Sequence, residues 1–304
     1  MASPSRVFTV PASVPFLRTV IDALVAGKLV PGFPASSDPL ALAAATLYLP
    51  TRRACRLARD VFLAALGGSG AVLPRIVAIG DIDEDELVFA DAATGALAAP
   101  ALELPPALGS LERRMLLAKL VLLWAASPEL HGATGAPLVA HSPAAAVALA
   151  DDLARLIDDM TTRQVDWARL DDLVPERFDA YWQLSLKFLT IARVAWPAIL
   201  AERGVVEGAV RRDHLIAAET ARLAAKSDAP VIAAGSTGSM PATAALLTAI
   251  GKLPHGAVVL PGLDTELDAP SFAMIAGHGD HGMPAPGHPQ FAMQALLALS
   301  LIHI

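Results

Sequence analysis

An α/β fold built on a parallel sheet and interrupted by an all-helical insert is what this sequence predicts, and three patterns lead there. Short β-rich runs alternate with helical periodicities through the first third of the chain. A middle stretch then carries almost continuous helical period. From about residue 205 the alternation of strand and helix returns.

The first element, Val7-Phe8-Thr9-Val10, is a strand; a loop with Pro11 and Pro15 follows, and residues 16–26 read as a helix. "ATLYLP" is the second strand and leads into a helix over "TRRACRLARDVFLAAL", with Thr51 as its N-cap and Leu57, Val61 and Phe62 on its packed side. "RIVAIG" is the third strand. The Pro- and Ala-rich residues 94–110 break the pattern. Ser110 is placed to cap a helix over "LERRMLLAKLVLLWAA", and Ser142-Pro143 starts the next one. In that helix Leu149, Leu153, Leu156, Ile157 and Met160 form one apolar stripe. A further helix covers "ERFDAYWQLSLKFLTIARVAWPAIL", with Pro197 near its end. Helix 209–225, strand 230–233, a helix from Pro241 and the strand "GAVVLPGLD" complete the order. The expected division is residues 1–106 as the first part of the α/β domain, 107–204 as the insert, and 205–298 as the return.

Bulk properties narrow the class of protein. The 304 residues are 54% hydrophobic with a net charge of −7, so any contact with nucleic acid must come from a local basic patch. No apolar run reaches the roughly 18–20 residues that span a bilayer. "MLLAKLVLLWAA" is short, carries Lys119 and reads as a buried helix. The N-terminus does not fit a signal peptide, and a soluble, cytoplasmic protein is expected. Cys55 is the sole cysteine, which excludes an internal disulfide and any cysteine-built zinc or iron–sulfur site.

Four segments carry candidate chemistry. The first loop, after a strand and before a helix, stands where a phosphate cradle would, yet Pro11-Ala12-Ser13 offer neither glycine nor lysine. In "AAGSTGSMPAT", Gly235 to Ser239 are either a tight strand-to-helix turn or an anion cradle at a helix N-terminus. Arg52, Arg56 and Arg59 fall at i, i+4 and i+7, with Arg53 beside them, as a phosphate-contacting face or a solvated one. Asp81, Asp83, Glu84, Asp85 and Glu86 read as a solvated acidic helix start rather than a cation site. His278, Asp280, His281 and His288 sit among Gly and Pro, with no helix to fix a ligand geometry, and no G-x-S-x-G elbow supports a serine nucleophile.

Taken in order, "VFTVPASVPFL", "LYLPTRRACRLARDVF", "LPRIVAIGDIDEDELVF", "LERRMLLAKLVL" and "VIAAGSTGSMPATAALLTAI" resemble the N-terminal part of the AddB subunits of AddAB helicase–nucleases, in their alphaproteobacterial form. The resemblance implies a superfamily 1 helicase-like (P-loop NTPase-like) parallel sheet with helices on both faces. It also implies decayed nucleotide chemistry at two positions. Pro11, Ala12 and Ser13 stand where a motor has its Gly-rich, Lys-containing loop. Ala234, Gly235 and Ser236, after Ala233, stand where it has its acidic pair. Neither ATPase nor nuclease activity is expected of these residues.

The resemblance further implies a role in double-strand break repair by homologous recombination, with an AddA-like motor subunit and DNA ends as partners. Arg52, Arg53 and Arg56 are the implied contacts to single-stranded DNA. The family's iron–sulfur cluster and nuclease metal belong to a C-terminal region that this sequence does not contain, so no cofactor is expected here. The alternative reading is a nucleotide- or phosphoester-binding α/β enzyme using Gly235 to Ser239. Residues 299–304, "LSLIHI", match the in-frame reading of a sequencing-adapter end and are expected to be a non-native tail.

Overall fold

A computed structural model describes residues 6–34, 40–67, 72–82, 104–130, 139, 142–173, 180–225, 228–278 and 282–298. The suspected tail, the carboxylates of residues 83–86, and Asp280 and His281 lie outside the described residues. The chain divides into two compact units, residues 1–102 with 214–304 and residues 103–213.

The first unit is built on a five-stranded, all-parallel sheet in the order β1-β5-β4-β2-β3. Its strands are β1 (Val7–Val10), β2 (Thr46–Leu49), β3 (Arg75–Ala78), β4 (Val231–Ala234) and β5 (Gly256–Pro261). β4 enters between strands that precede and follow it in sequence, pairing Ala233 with Tyr48 on one side and Val258 on the other.

Side chains alternate across this sheet as a two-residue period requires. Val10, Leu47, Leu49, Ile232, Ala234, Ala257 and Val259 share one cluster with Val20, Ile21 and Leu24 of α1 (Phe16–Val25) and with Cys55, Ala58 and Phe62 of α2 (Arg52–Ala65). The β1-to-β2 and β2-to-β3 crossovers run in one direction along the sheet. Those through α7 (Gly208–Ala225) and α8 (Pro241–Lys252) run in the other. Right-handed crossovers therefore put α1 and α2 on one face and α7 and α8 on the opposite one. Two short helices, α9 (Ala269–Ala276) and α10 (Phe291–Leu296), follow β5.

Thr51 caps α2 as expected, its Oγ1 accepting from the Ala54 N–H at 3.1 Å. Leu57, expected on the packed side, is instead 52% exposed. The buried positions Cys55, Ala58 and Phe62 follow i, i+3, i+7, and Leu57 lies about 200° around the helix from Cys55.

On the opposite face Tyr48 is enclosed, and its hydroxyl donates to Glu219 of α7, itself wholly buried. Arg222, one turn further along, donates Nε to Glu219 Oε2 at 2.6 Å and Nη2 to Oε1 at 2.8 Å. Burial and the neighbouring Glu219 both push the Tyr48 hydroxyl above the ordinary tyrosine range.

The second unit is helical: α3 (Ser110–Ala125), α4 (Pro143–Thr162), α5 (Ala180–Thr190), a π-turn (Ile191–Ala195) and α6 (Trp196–Arg203). Ser142 caps α4, with Pro143 at its first position, and Leu153, Ile157 and Met160 are buried on one stripe. Leu149 and Leu156 are half-buried, and Ala146 and Ala150 are enclosed in the core that α4 shares with Leu117, Ala118, Val121 and Ala125 of α3.

Three expectations need correction in this unit. Ser110 is the first helical residue rather than the cap, because extended Gly109 occupies the cap position. "MLLAKLVLLWAA" is not buried all round: Leu117, Ala118, Val121 and Ala125 are enclosed, while Met115, Leu122 and Leu123 are exposed. The helix expected over residues 176–200 is not uniformly α-helical: within the described residues the backbone stays helical from Ala180, but a π-turn changes its bonding just before Pro197, which lacks the N–H that would bond back into the preceding turn.

The helical unit extends to residue 213 rather than ending at 204, because the segment before α7 is held within it. Val206 N–H donates to Pro106 O, and Val206 O accepts from Leu108 N–H. Arg113 supplies the central polar contact. It grips Asp158 with Nη1 and Nη2 at 3.1 and 2.9 Å and meets Glu207 through Nε at 2.9 Å. Glu207, nearly buried, also accepts from Trp196 Nε1.

Removing one partner of a buried ion pair is far more damaging than never having built it. Arg113→Ala therefore lowers unfolding free energy by about 3–5 kcal/mol, and Arg113→Lys does not restore it, since an ammonium cannot serve both carboxylates in forked geometry. Urea unfolding checks this; a loss below about 1 kcal/mol in Arg113→Ala contradicts it.

The raised Tyr48 pKa makes a second prediction with a definite sign. The folded protein keeps this proton when the unfolded chain loses it above about pH 10. The stabilisation is complete below that pH and falls as pH rises, with a limiting slope of about 1.4 kcal/mol per pH unit. Tyr48→Phe costs about 1.5–3 kcal/mol at neutral pH and lacks this alkaline slope. A wild-type-to-variant difference that stays constant through the alkaline range contradicts the assignment.

Candidate functional site

Because every strand is parallel, the loops that follow β1, β2, β3, β4 and β5 all emerge at one edge of the sheet. Doubly wound sheets take ligands at this carboxyl edge, where neighbouring crossovers turn in opposite directions. Here that switch lies between β2 and β4, next to Pro50 and Gly235.

The switch-point crevice is filled by the chain itself. Gly235 adopts φ +83°, and a Cβ there would lie 3.1 Å from Phe16 Cε1 and 3.5 Å from Pro50 Cδ. Its N–H donates to Val259 O at 3.0 Å. Gly238, at φ +68°, faces Leu296 of α10 just as closely, and its N–H donates to Ser236 Oγ at 3.3 Å. The loop 235–239 is thus a turn whose amides at both glycines are already engaged and whose inner side meets three apolar side chains. Met240 precedes the Pro241 start of α8 without a side-chain cap.

Pro11, Ala12 and Ser13 are exposed in the loop after β1, while Ala234 is buried at the end of β4 and Ser236 is half-buried. β5 lies between β1 and β4, so these two triplets share an edge without being neighbours in the sheet. Phe16, at the start of α1, is the residue that links the two regions. Beside Ala12, Gly262 N–H donates to Val10 O at 2.8 Å, and Gln290 Nε2 donates to Gly262 O at 2.9 Å, closing the loop after β5 over β1.

The arginine helix gives a different picture. Arg52, Cys55, Arg56 and Arg59 of α2 form one wall of a cleft of about 310 Å³. The other wall is β3 and the 3₁₀ turn after it (Ile79–Asp81). Arg52, Arg56 and Arg59 line this space on successive turns, and among the described lining residues Asp81 is the acidic one. Arg52 Nε contacts Asp81 Oδ2 at 2.6 Å. Of the three arginines implied as DNA contacts, Arg52 and Arg56 line the cleft and Arg53 does not. Arg59, on the same i, i+4, i+7 face, joins them. The helical period was the signal that pointed to Arg59.

The rest of the acidic run expected to start a helix, residues 83–86, lies outside the described residues, while Asp81 lies in a 3₁₀ turn against Arg52. The strand before it ends at the carboxyl edge, and that geometry brings residues 29 positions apart together. His278 follows the left-handed Gly277 cap of α9, and His288 Nδ1 accepts from the Gln290 N–H at 3.2 Å. Among the described residues no group of three or more His, Cys, Asp or Glu could hold a metal ion. Among them, too, no helix is long and apolar enough to cross a membrane. A second hollow, of about 670 Å³, runs along α8 and is walled chiefly by Ala224, Ala245 and Ala249.

No known protein-family model matches this sequence, and no curated protein is significantly similar to it.

Proposed function

We propose that this chain is the non-catalytic, helicase-like portion of a helicase–nuclease subunit that acts in double-strand break repair by homologous recombination. In this reading its sheet unit is a superfamily 1 helicase-like domain that has lost its nucleotide chemistry. The cleft along α2 contacts the phosphates of single-stranded DNA, and an AddA-like motor subunit supplies ATP hydrolysis. DNA ends are the substrate of the assembly, and the iron–sulfur cluster and nuclease metal of that family are carried by residues outside this sequence.

The observation that carries the reading is the row of Arg52, Arg56 and Arg59 along one cleft that begins at the carboxyl edge of a parallel sheet and runs back beside its edge strand β3. Guanidinium groups in such a row suit phosphodiesters, which they bind in forked geometry and without base preference. The filled crevice at Gly235 supports the loss of nucleotide chemistry, because Phe16 and Leu296 offer neither charge nor hydrogen bonds to a phosphate. The same packing argues against the alternative of a phosphoester-binding enzyme built on Gly235 to Ser239.

The test is fluorescence anisotropy of a labelled oligothymidine over a salt series. If the three arginines neutralise three phosphates, log K falls against log salt with a slope of about −2. Arg52→Ala/Arg56→Ala weakens binding at least about tenfold at low salt and flattens the slope by about 1.4. Arg53→Ala, outside the cleft, stays within about twofold of wild type. Equal losses in all these variants, or binding insensitive to salt, contradict the reading.

A further inference from the structure

Asp81 is the feature of the cleft that a simple phosphate-binding row does not need. Its carboxylate lies on the wall opposite the arginine row and contacts Arg52 Nε, at one end of that row, at 2.6 Å. The pair is solvent-facing, with the Arg52 side chain 73% and the Asp81 side chain 35% exposed, so the two groups can separate into water without stranding a buried charge. An anion that binds at Arg52 must therefore displace this carboxylate or accept its repulsion.

We infer that Asp81 is a specificity-determining residue that makes the cleft select a run of phosphodiesters over a single phosphate. The inference rests on reading the cleft as a phosphodiester site. The geometry works through length. From Arg52 to Arg59 the helix rises by about 10 Å, so one phosphate reaches only part of the row, whereas a strand reaches all of it. A lone phosphate beside Arg52 meets one guanidinium already paired and a like charge next to it. A strand anchored on Arg56 and Arg59 exchanges with the carboxylate once, while its remaining contacts hold it in place. Asp81 is a built-in competitor that short anions lose to and polyanions overcome.

The experiment compares wild type with Asp81→Asn on the full chain, using labelled oligothymidine as one probe and inorganic phosphate as competitor at constant ionic strength. Asp81→Asn binds the oligonucleotide about two- to fivefold more tightly, the range set by an exposed ion pair. Its binding also becomes sensitive to millimolar phosphate, to which wild type is indifferent. Asp81→Ser, with thermal midpoints for both variants, shows that the change does not come from unfolding of the turn. Tightening in both variants with intact folding supports the inference. If wild-type binding depends on Arg52 and Arg56 while the Asp81 variants bind equally or more weakly, the inference fails and the phosphodiester reading stands. If neither wild type nor variant binds the oligonucleotide, both fall together.

Discussion

The enclosed carboxylate of Glu219, held between Tyr48 on β2 and Arg222 on its own helix, is the interaction on which the sheet unit turns. β1, β2 and β3 are made before the helical insert, β4 and β5 after it, and β4 must enter between β2 and β5. No hairpin can set that pairing locally, because parallel neighbours need long crossovers. Much of the surrounding core is alanine, valine and leucine, whose shapes allow a helix to slide or rotate. A directional bond from β2 to α7 gives that helix one azimuth over the sheet.

Once β4 is in place, the carboxyl edge follows. The β4 loop meets Phe16 and Pro50, the β5 loop closes over β1, and β3 ends where Asp81 can face α2. The two regions of this edge differ in chemistry for a simple reason. At the switch point, glycines with positive φ let the backbone turn tightly, and the space they leave is taken by a phenyl ring and a leucine. Along α2, guanidinium groups on long stems cannot pack into an apolar core, so they stand around open volume. One region is sealed by hydrophobic packing, and the other remains polar and accessible.

The succession of strands and helices along the chain was legible in sequence where punctuation was strong. "VFTV" and "TLYL" are each followed at once by proline, and Thr51 and Ser142 carry their capping signal locally. Where the deciding contact is distant, the sequence is silent. Nothing near Glu219 or Glu207 marks them as enclosed, since each is placed by a partner, Tyr48 or Arg113, far along the chain. Asp81 looked like one of five clustered carboxylates until the parallel sheet set it against Arg52. The arginine row was readable because three residues on one helix face obey the helical period, and the opposing wall of the cleft was not. Leu57 and the exposed part of α3 misled for a related reason: apolar content says that a helix has a face to bury, while the neighbours decide which residues lie on it.

The proposed function carries one central claim: the loops after β1 and β4 correspond to the phosphate positions of a nucleotide motor, and here they meet Phe16, Pro50 and Leu296 or lack charge. Calorimetric titration of the purified chain with ATP and magnesium, read together with phosphate release, tests it most directly. The account predicts no saturable heat and no turnover above a protein-free control. Stoichiometric binding with steady ATP hydrolysis, abolished by a bulky substitution at Gly235 or Gly238, would contradict it.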